Sequence, residues 1–202
     1  MQHNSPWQTI FYRSLAAHEK IPASRYLQLA TVDNHGHPHC RTLVFRGFNQ
    51  DKNQMYLHTD NRSEKMSQLE RHNRVEACWH FSETREQFRF SGHVESISDK
   101  KSISDKKSIS HKKSIGQSEQ SKTTSCSPEA QRLRLTHWQN LSDALRESYG
   151  QNYDIAKPDE NFVLLILHIT RVDYLRLAPL PHLRVIYHLD ASENWQAKSA
   201  VP

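Results

Sequence analysis

Leu27-Gln28-Leu29-Ala30-Thr31-Val32, then Asp33-Asn34-His35-Gly36, then the run His39–Phe48: the fold of this chain is decided here. Residues 27–32 alternate apolar and polar, the period of a half-buried strand. Asp33 to Gly36 is turn chemistry, and the second run returns as another strand. Outward from this hairpin the same grammar repeats. Gln54–Thr59 reads as a third strand and Ser63–Asn73 as a short helix with Met66 and Leu69 as its apolar stripe. Val75–Phe81 and Gln87–Glu95 follow as strands. Upstream, Ser5-Pro6-Trp7-Gln8 is a helix start, with Ser at the N-cap, Pro first and Gln three residues on. That helix runs to about Glu19, with Trp7, Ile10, Phe11, Ser14 and Leu15 on one face. Downstream, Ser127-Pro128 opens a helix to about Tyr149; Asn161–Ile169, Val172–Leu177, Leu183–Leu189 and Trp195–Val201 are strands. Short strands, few helices and no βαβ rhythm predict a mainly β fold, an antiparallel barrel with a few flanking helices.

The 202 residues suit one domain plus an appendage, and the net charge of +5 invites a polyanion-binding reading. That charge is local. Ser96–Ser127 holds seven Lys against three acidic residues, so it carries +4 of the +5. The segment repeats SISDKK, SISDKK, SISHKK, SIG and has no aromatic residue, a composition expected of a mobile surface loop. Residues 1–95 and 128–202 are therefore read as one domain interrupted by an insert at 96–127. A Lys-rich arm could touch nucleic acid or anionic lipid, but no Arg or aromatic residue interleaves the lysines. The longest apolar run, Phe162–Leu167, is far shorter than a membrane helix. The N-terminus lacks secretory-signal character, and three scattered cysteines form no C-x-x-C pair. A reduced cytoplasmic protein is expected. Cys40 and Cys78 read as small core residues.

The sharpest candidate site is Thr59-Asp60-Asn61-Arg62-Ser63-Glu64-Lys65. A guanidinium, a hydroxyl and an ammonium around a helix start suit a phosphate dianion. The plain alternative is an N-cap serine beside solvated charges. Arg41-Thr42-Leu43-Val44-Phe45-Arg46 brackets an apolar strand with two arginines, which can hold both ends of a ligand while backbone amides meet a planar ring; both could equally be rim residues. Gln87, between aromatic neighbours, can offer donor and acceptor to a heterocycle edge or simply face solvent. His37 and His39 share a strand face without a third ligand, so no metal site is expected.

Together these blocks resemble the pyridoxamine 5'-phosphate oxidase superfamily, the FMN-binding split barrels, and most of all its oxidase-related FMN-binding branch. The resemblance rests on residues 29–32, 41–48, Thr59-Asp60-x-Arg62-Ser63-x-Lys65 and 85–89, with Val172-Asp173, Arg184 and Trp195 late in the chain. It implies a split barrel that is a homodimer with FMN in the crevice between subunits. It implies FMN contacts from Arg41, Thr42, Leu43, Val44 and Arg46, from His58 and Thr59, and from Arg62, Ser63 and Lys65 at the phosphate. Gln87 and Arg184 are implied beside the ring. Tyr174, or Leu175 if one gap is allowed, falls where the oxidase carries a flavin-contacting tryptophan. Oxidases hold their substrate with an Arg-x-His pair, and here the aligned triplet is Leu180-Pro181-His182. His182 could still touch substrate. The resemblance thus implies an FMN-dependent oxidoreductase acting on an unidentified small molecule, or else a flavin carrier or redox sensor without catalysis.

Overall fold

The computed structural model describes residues 5–99, 102–103 and 126–202. Six antiparallel strands close a barrel in the order β4 (Arg74–Phe81), β1 (Tyr26–Val32), β2 (Pro38–Asn49), β3 (Gln54–Asp60), β7 (Phe162–Arg176), β5 (Glu86–Ile97) and back to β4. Outside it, β8 (Leu183–Leu189) and β9 (Trp195–Ala200) extend from β7, and β6 (Ser102–Ile103) pairs with β5. The alternation in 27–32 places Leu27, Leu29 and Thr31 inside and Gln28 outside.

Helix α1 (Pro6–Ala17) plugs the barrel. The fully buried Phe11 ring meets Phe45, Phe48, Trp79, Phe81, Phe88 and Phe90 with centroids 4.8–5.8 Å away. Such edge-to-face pairs add to simple area burial. Ser14 also faces inward; its Oγ donates to buried Glu86 at 2.7 Å, and Tyr174 Oη donates to the same carboxylate at 2.5 Å. Arg13 reaches Glu86 at 3.0 Å, so the helix is fixed by charge as well as by apolar contact. Ser5 occupies the N-cap, but its hydroxyl turns to Asn53 and makes no capping bond.

Several expected boundaries move. The helix beyond Pro128 is two helices, α3 (Pro128–Gln139) and α4 (Asp143–Glu147). Ser142 caps the second, and Arg146 collects the freed carbonyls of Trp138, Gln139 and Leu141. The strands expected at 161–169 and 172–177 are one strand, β7, whose partner on one side changes from β3 to β8. At that change the register with β5 shifts, Ser91 pairing with Arg171 and Gly92 with Ile169, so that Thr170 is skipped. A Cβ at Gly92 would lie 1.9 Å from the His168 carbonyl oxygen, so only glycine fits that approach. The sheet also runs past Glu95: Ser96 and Ile97 are buried in β5, and Ser102–Ile103 pair with them. Residues 100–101 and 104–125 of the expected loop lie outside the described residues. Cys40 is exposed and Cys78 half-buried, because both fall on the outward parity of their strands, beside Ala30 and Gln28.

Helix α2 (Glu64–Arg71) covers one mouth of the barrel and buries Met66, Gln68 and Leu69. Among the described residues no helix is long and apolar enough to cross a membrane.

Candidate functional site

Strands β2 and β3 part company at a bulge. They pair from Asn49↔Gln54 to Phe45↔Leu57, with a register shift at Phe45–Gly47. Beyond it, residues 38–44 pair only with β1, and 58–60 pair with β7. Among the described residues, the edge of Arg41–Val44 that faces away from β1 has no partner strand, so it offers free amides and carbonyls to a ligand.

Beside that edge two cations gather, Arg41 of β2 and Lys65 in the first turn of α2. Arg41 lies on the core-facing parity, where Nη1 donates to Leu29 O at 3.2 Å and to Thr31 Oγ1 at 2.5 Å. Its Nη2 donates to Gln68 Oε1 at 3.0 Å. Lys65 Nζ donates to Thr59 Oγ1 and to Ser63 Oγ, both at 2.8 Å. Ser63 Oγ donates onward to Asp60 O at 2.6 Å and leaves the helix end uncapped by its side chain. Burial, and then the Arg41 guanidinium, pull the Lys65 ammonium below the usual lysine range. Among the described residues neither cation has a carboxylate within ion-pair distance. A dianion entering here would relieve their mutual repulsion. Arg62, expected in the same cluster, forks onto Asp60 instead (Nε–Oδ1 3.0 Å, Nη2–Oδ2 2.6 Å) and is well exposed.

The outward parity of the same strands carries Thr42, Val44, Arg46 and His58; Leu43 turns inward against the core. Arg46 Nε is buried without a partner. His58 Nε2 lies 3.0 Å from His137 Nδ1 of α3, and His58 Nδ1 is buried and unpaired. Burial, then the charge of Arg46, push His58 down to about 2, so this imidazole is neutral. Tyr149 stands in the same field, and burial pushes its phenol up to about 12. His137 and Tyr149 carry no motif and were invisible in the sequence.

A third group sits on β5, β7 and β8. Gln87, Leu175 and Arg184 lie abreast in the register, with Gln87 half-buried. Tyr174 points the other way: it is 1% exposed and bonded to Glu86. Of the two alternatives, only Leu175 shares the face of Gln87 and Arg184. Arg184 is not free, since Nε and Nη2 grip Asp173 at 3.0 and 2.9 Å. Arg89 and Arg171 share that carboxylate. Burial opposes its ionisation, but the hydrogen bonds from Arg184 and Arg89 outweigh it and hold Asp173 far below the usual carboxylate range. His182 is exposed in the β7–β8 connection, two residues after Leu180, which is 77% exposed.

His37 and His39 both turn to Asp33, at 3.2 and 3.3 Å. Among the described residues no group of three His, Cys, Asp or Glu side chains is arranged to hold a metal.

A closed six-stranded antiparallel barrel with a few flanking helices is the architecture of the FMN-binding split barrels. The family profile described as pyridoxamine 5'-phosphate oxidase, FMN-binding domain, matches residues 4–98. Pyridoxine/pyridoxamine 5'-phosphate oxidase 2 of Arabidopsis thaliana is 31% identical over 175 residues, which cover 87% of this chain and 85% of the relative. A pyridoxamine 5'-phosphate oxidase-related, FMN-binding protein of Nostoc punctiforme PCC 73102 superposes with a TM-score of 0.81 at 33% identity, covering 98% of each chain. PhzG from Burkholderia lata 383 shares the fold, with a TM-score of 0.69 at 16% identity over 98% of this chain and 93% of its own. The chain belongs to the pyridoxamine 5'-phosphate oxidase family of FMN-binding proteins.

Proposed function

We propose that this protein is an FMN-dependent oxidoreductase whose cofactor phosphate sits between Arg41 and Lys65. The observation that carries the reading is this pair of half-buried cations, which among the described residues have no carboxylate within ion-pair distance, beside an open strand edge. Thr59 and Ser63 would add hydroxyl donors to the phosphate. The edge of Arg41–Val44 would meet the ring system, with Arg46 and its unpartnered Nε on the outer side. Gln87 and Arg184 would address the ring from β5 and β8. These strands lie apart from the cradle in the barrel order, which supports a homodimer in which two subunits share each flavin. Bound FMN would supply the electron transfer, while the protein's groups bind it, orient it and tune its potential.

The substrate class is less defined. Relatives are named for pyridoxine and pyridoxamine 5'-phosphate oxidation, but Leu180 replaces the arginine that the family's oxidases use. An exposed leucine cannot pair with a phosphorylated substrate. That residue favours a second reading, a flavin carrier or redox sensor with little turnover.

Titration of the purified protein with FMN, followed by absorbance and flavin fluorescence, tests the binding. Saturable uptake that weakens in Lys65→Ala supports it; a colourless protein taking up no FMN overturns both readings. Peroxide release from pyridoxamine 5'-phosphate under air then separates the oxidase from the carrier.

A further inference from the structure

Arg41 is held in the cradle by neutral groups alone. Gln68, 3% exposed on α2, accepts from Arg41 Nη2 at 3.0 Å and from Thr31 Oγ1 at 2.6 Å through the same amide oxygen. Its orientation is fixed from the other side, because Nε2 donates to Glu64 Oε1 at 3.0 Å. Thr31, 1% exposed, takes a second Arg41 hydrogen bond. The remaining acceptor is a backbone carbonyl, Leu29 O. A buried arginine is ordinarily matched by a carboxylate, which fixes its geometry and cancels its charge. Here the geometry is fixed and the charge is kept. Glu64, exposed on the same helix, acts on Arg41 through space and is bonded to the Gln68 amide, but among the described residues it makes no ion pair with the guanidinium.

We propose that Gln68, with Thr31, is a positioning residue that sets the preference of this site for a phosphorylated flavin. It aims the Arg41 guanidinium at the cradle without neutralising it. Two full positive charges, on Arg41 and Lys65, then face a ligand whose phosphate is a dianion. A flavin without phosphate gains nothing from them. This inference rests on the FMN reading of the same site.

The test compares FMN and riboflavin binding, by quenching of flavin fluorescence, in wild type, Gln68→Glu and Gln68→Met, with melting temperature as the control for folding. Glutamate retains both acceptor bonds and adds a charge; methionine removes the bonds and leaves the charge of Arg41 intact. Charge preservation requires Gln68→Glu to lose at least about tenfold in FMN affinity, riboflavin moving far less, and Gln68→Met to lose less than that. A purely structural role predicts the reverse order, methionine worse than glutamate, and that order overturns the proposal. Equal losses for both flavins, or FMN binding unchanged in Gln68→Glu, also overturn it. Should wild type bind no FMN, the functional reading fails first, and the three proteins will not differ. If Gln68→Glu melts early, Thr31→Val supplies the second arm: it removes one neutral bond to Arg41 and must lower FMN affinity more than riboflavin affinity.

Discussion

Lys65 illustrates what a single residue's surroundings do to its chemistry. Its pull below the usual lysine range comes from burial first and from Arg41 second, and the charge of a bound phosphate would oppose both. The sign follows. FMN affinity is full while the ammonium is charged and the phosphate doubly ionised. It falls on the acid side below about pH 6, where a phosphate monoester gains a proton. It falls again on the alkaline side as pH rises through the lowered value of Lys65, before the ordinary lysine midpoint of about 10.4. In Lys65→Met the affinity is lower throughout and the alkaline limb disappears, because Arg41 stays charged. A pH series of FMN titrations on the two proteins reads both effects. Asp173 is the opposite case, a carboxyl held far below its usual range by three arginines. Its stabilisation is present above the unfolded midpoint near pH 4 and is lost as pH falls towards the folded value. Asp173→Asn is expected to cost about 2–3 kcal/mol at pH 7, a gap in denaturant-measured stability that narrows in acid. At this scale strand parity was only partly legible, since Cys40 and Cys78, expected in the core, lie on the outward face. Leu175 and Tyr174 differ only in which face they take. Gln68 escaped notice because a glutamine on a helix reads as solvent-facing until a second element is known to bury it.

Elements were legible where a local period or turn signal sufficed, and every strand of the barrel lay close to its expected place. The misses have one cause, tertiary constraint without a local signature. Nothing between Asn161 and Leu177 announces that β7 continues through Thr170; the continuity comes from β5, which pairs with it along both halves. Nor does Pro128 to Tyr149 announce a break, which is stabilised by Arg146 gathering carbonyls at the end of α3. Gly92 sits at the register shift between β5 and β7. Gly92→Ala would drive a methyl group into the His168 carbonyl, and β5 and β7 would have to separate locally. The expected cost is about 3 kcal/mol or more, since a backbone atom cannot move aside as a side-chain tip can. Chemical denaturation of the variant measures it, and a loss under about 1 kcal/mol would show that the two strands tolerate the shift.

Across the whole molecule, charge and architecture separate. The barrel and its helices are close to neutral, and the excess of Lys belongs to a repeat that contributes little of the described sheet beyond Ser96–Ile97 and Ser102–Ile103. Both ends of that segment are anchored on the fold. Arg134, 1% exposed, ties Asp99 to the carbonyls of Asp159 and Phe162, and Cys126 packs against the cluster of Tyr56, Ile97, Leu164 and Ile166. The cradle lies elsewhere, on β1, β2, β3 and α2. Replacing residues 104–125 with a short Gly-Ser linker is therefore expected to leave the melting temperature within about 3 °C and FMN affinity within about twofold. Retention on a polyanionic resin at low salt should fall, because the segment's net positive charge goes with it. Loss of FMN binding in this variant would place part of the site on the repeat and overturn the division. Unchanged retention would instead assign polyanion attraction to arginines of the barrel, such as those gathered around Asp173.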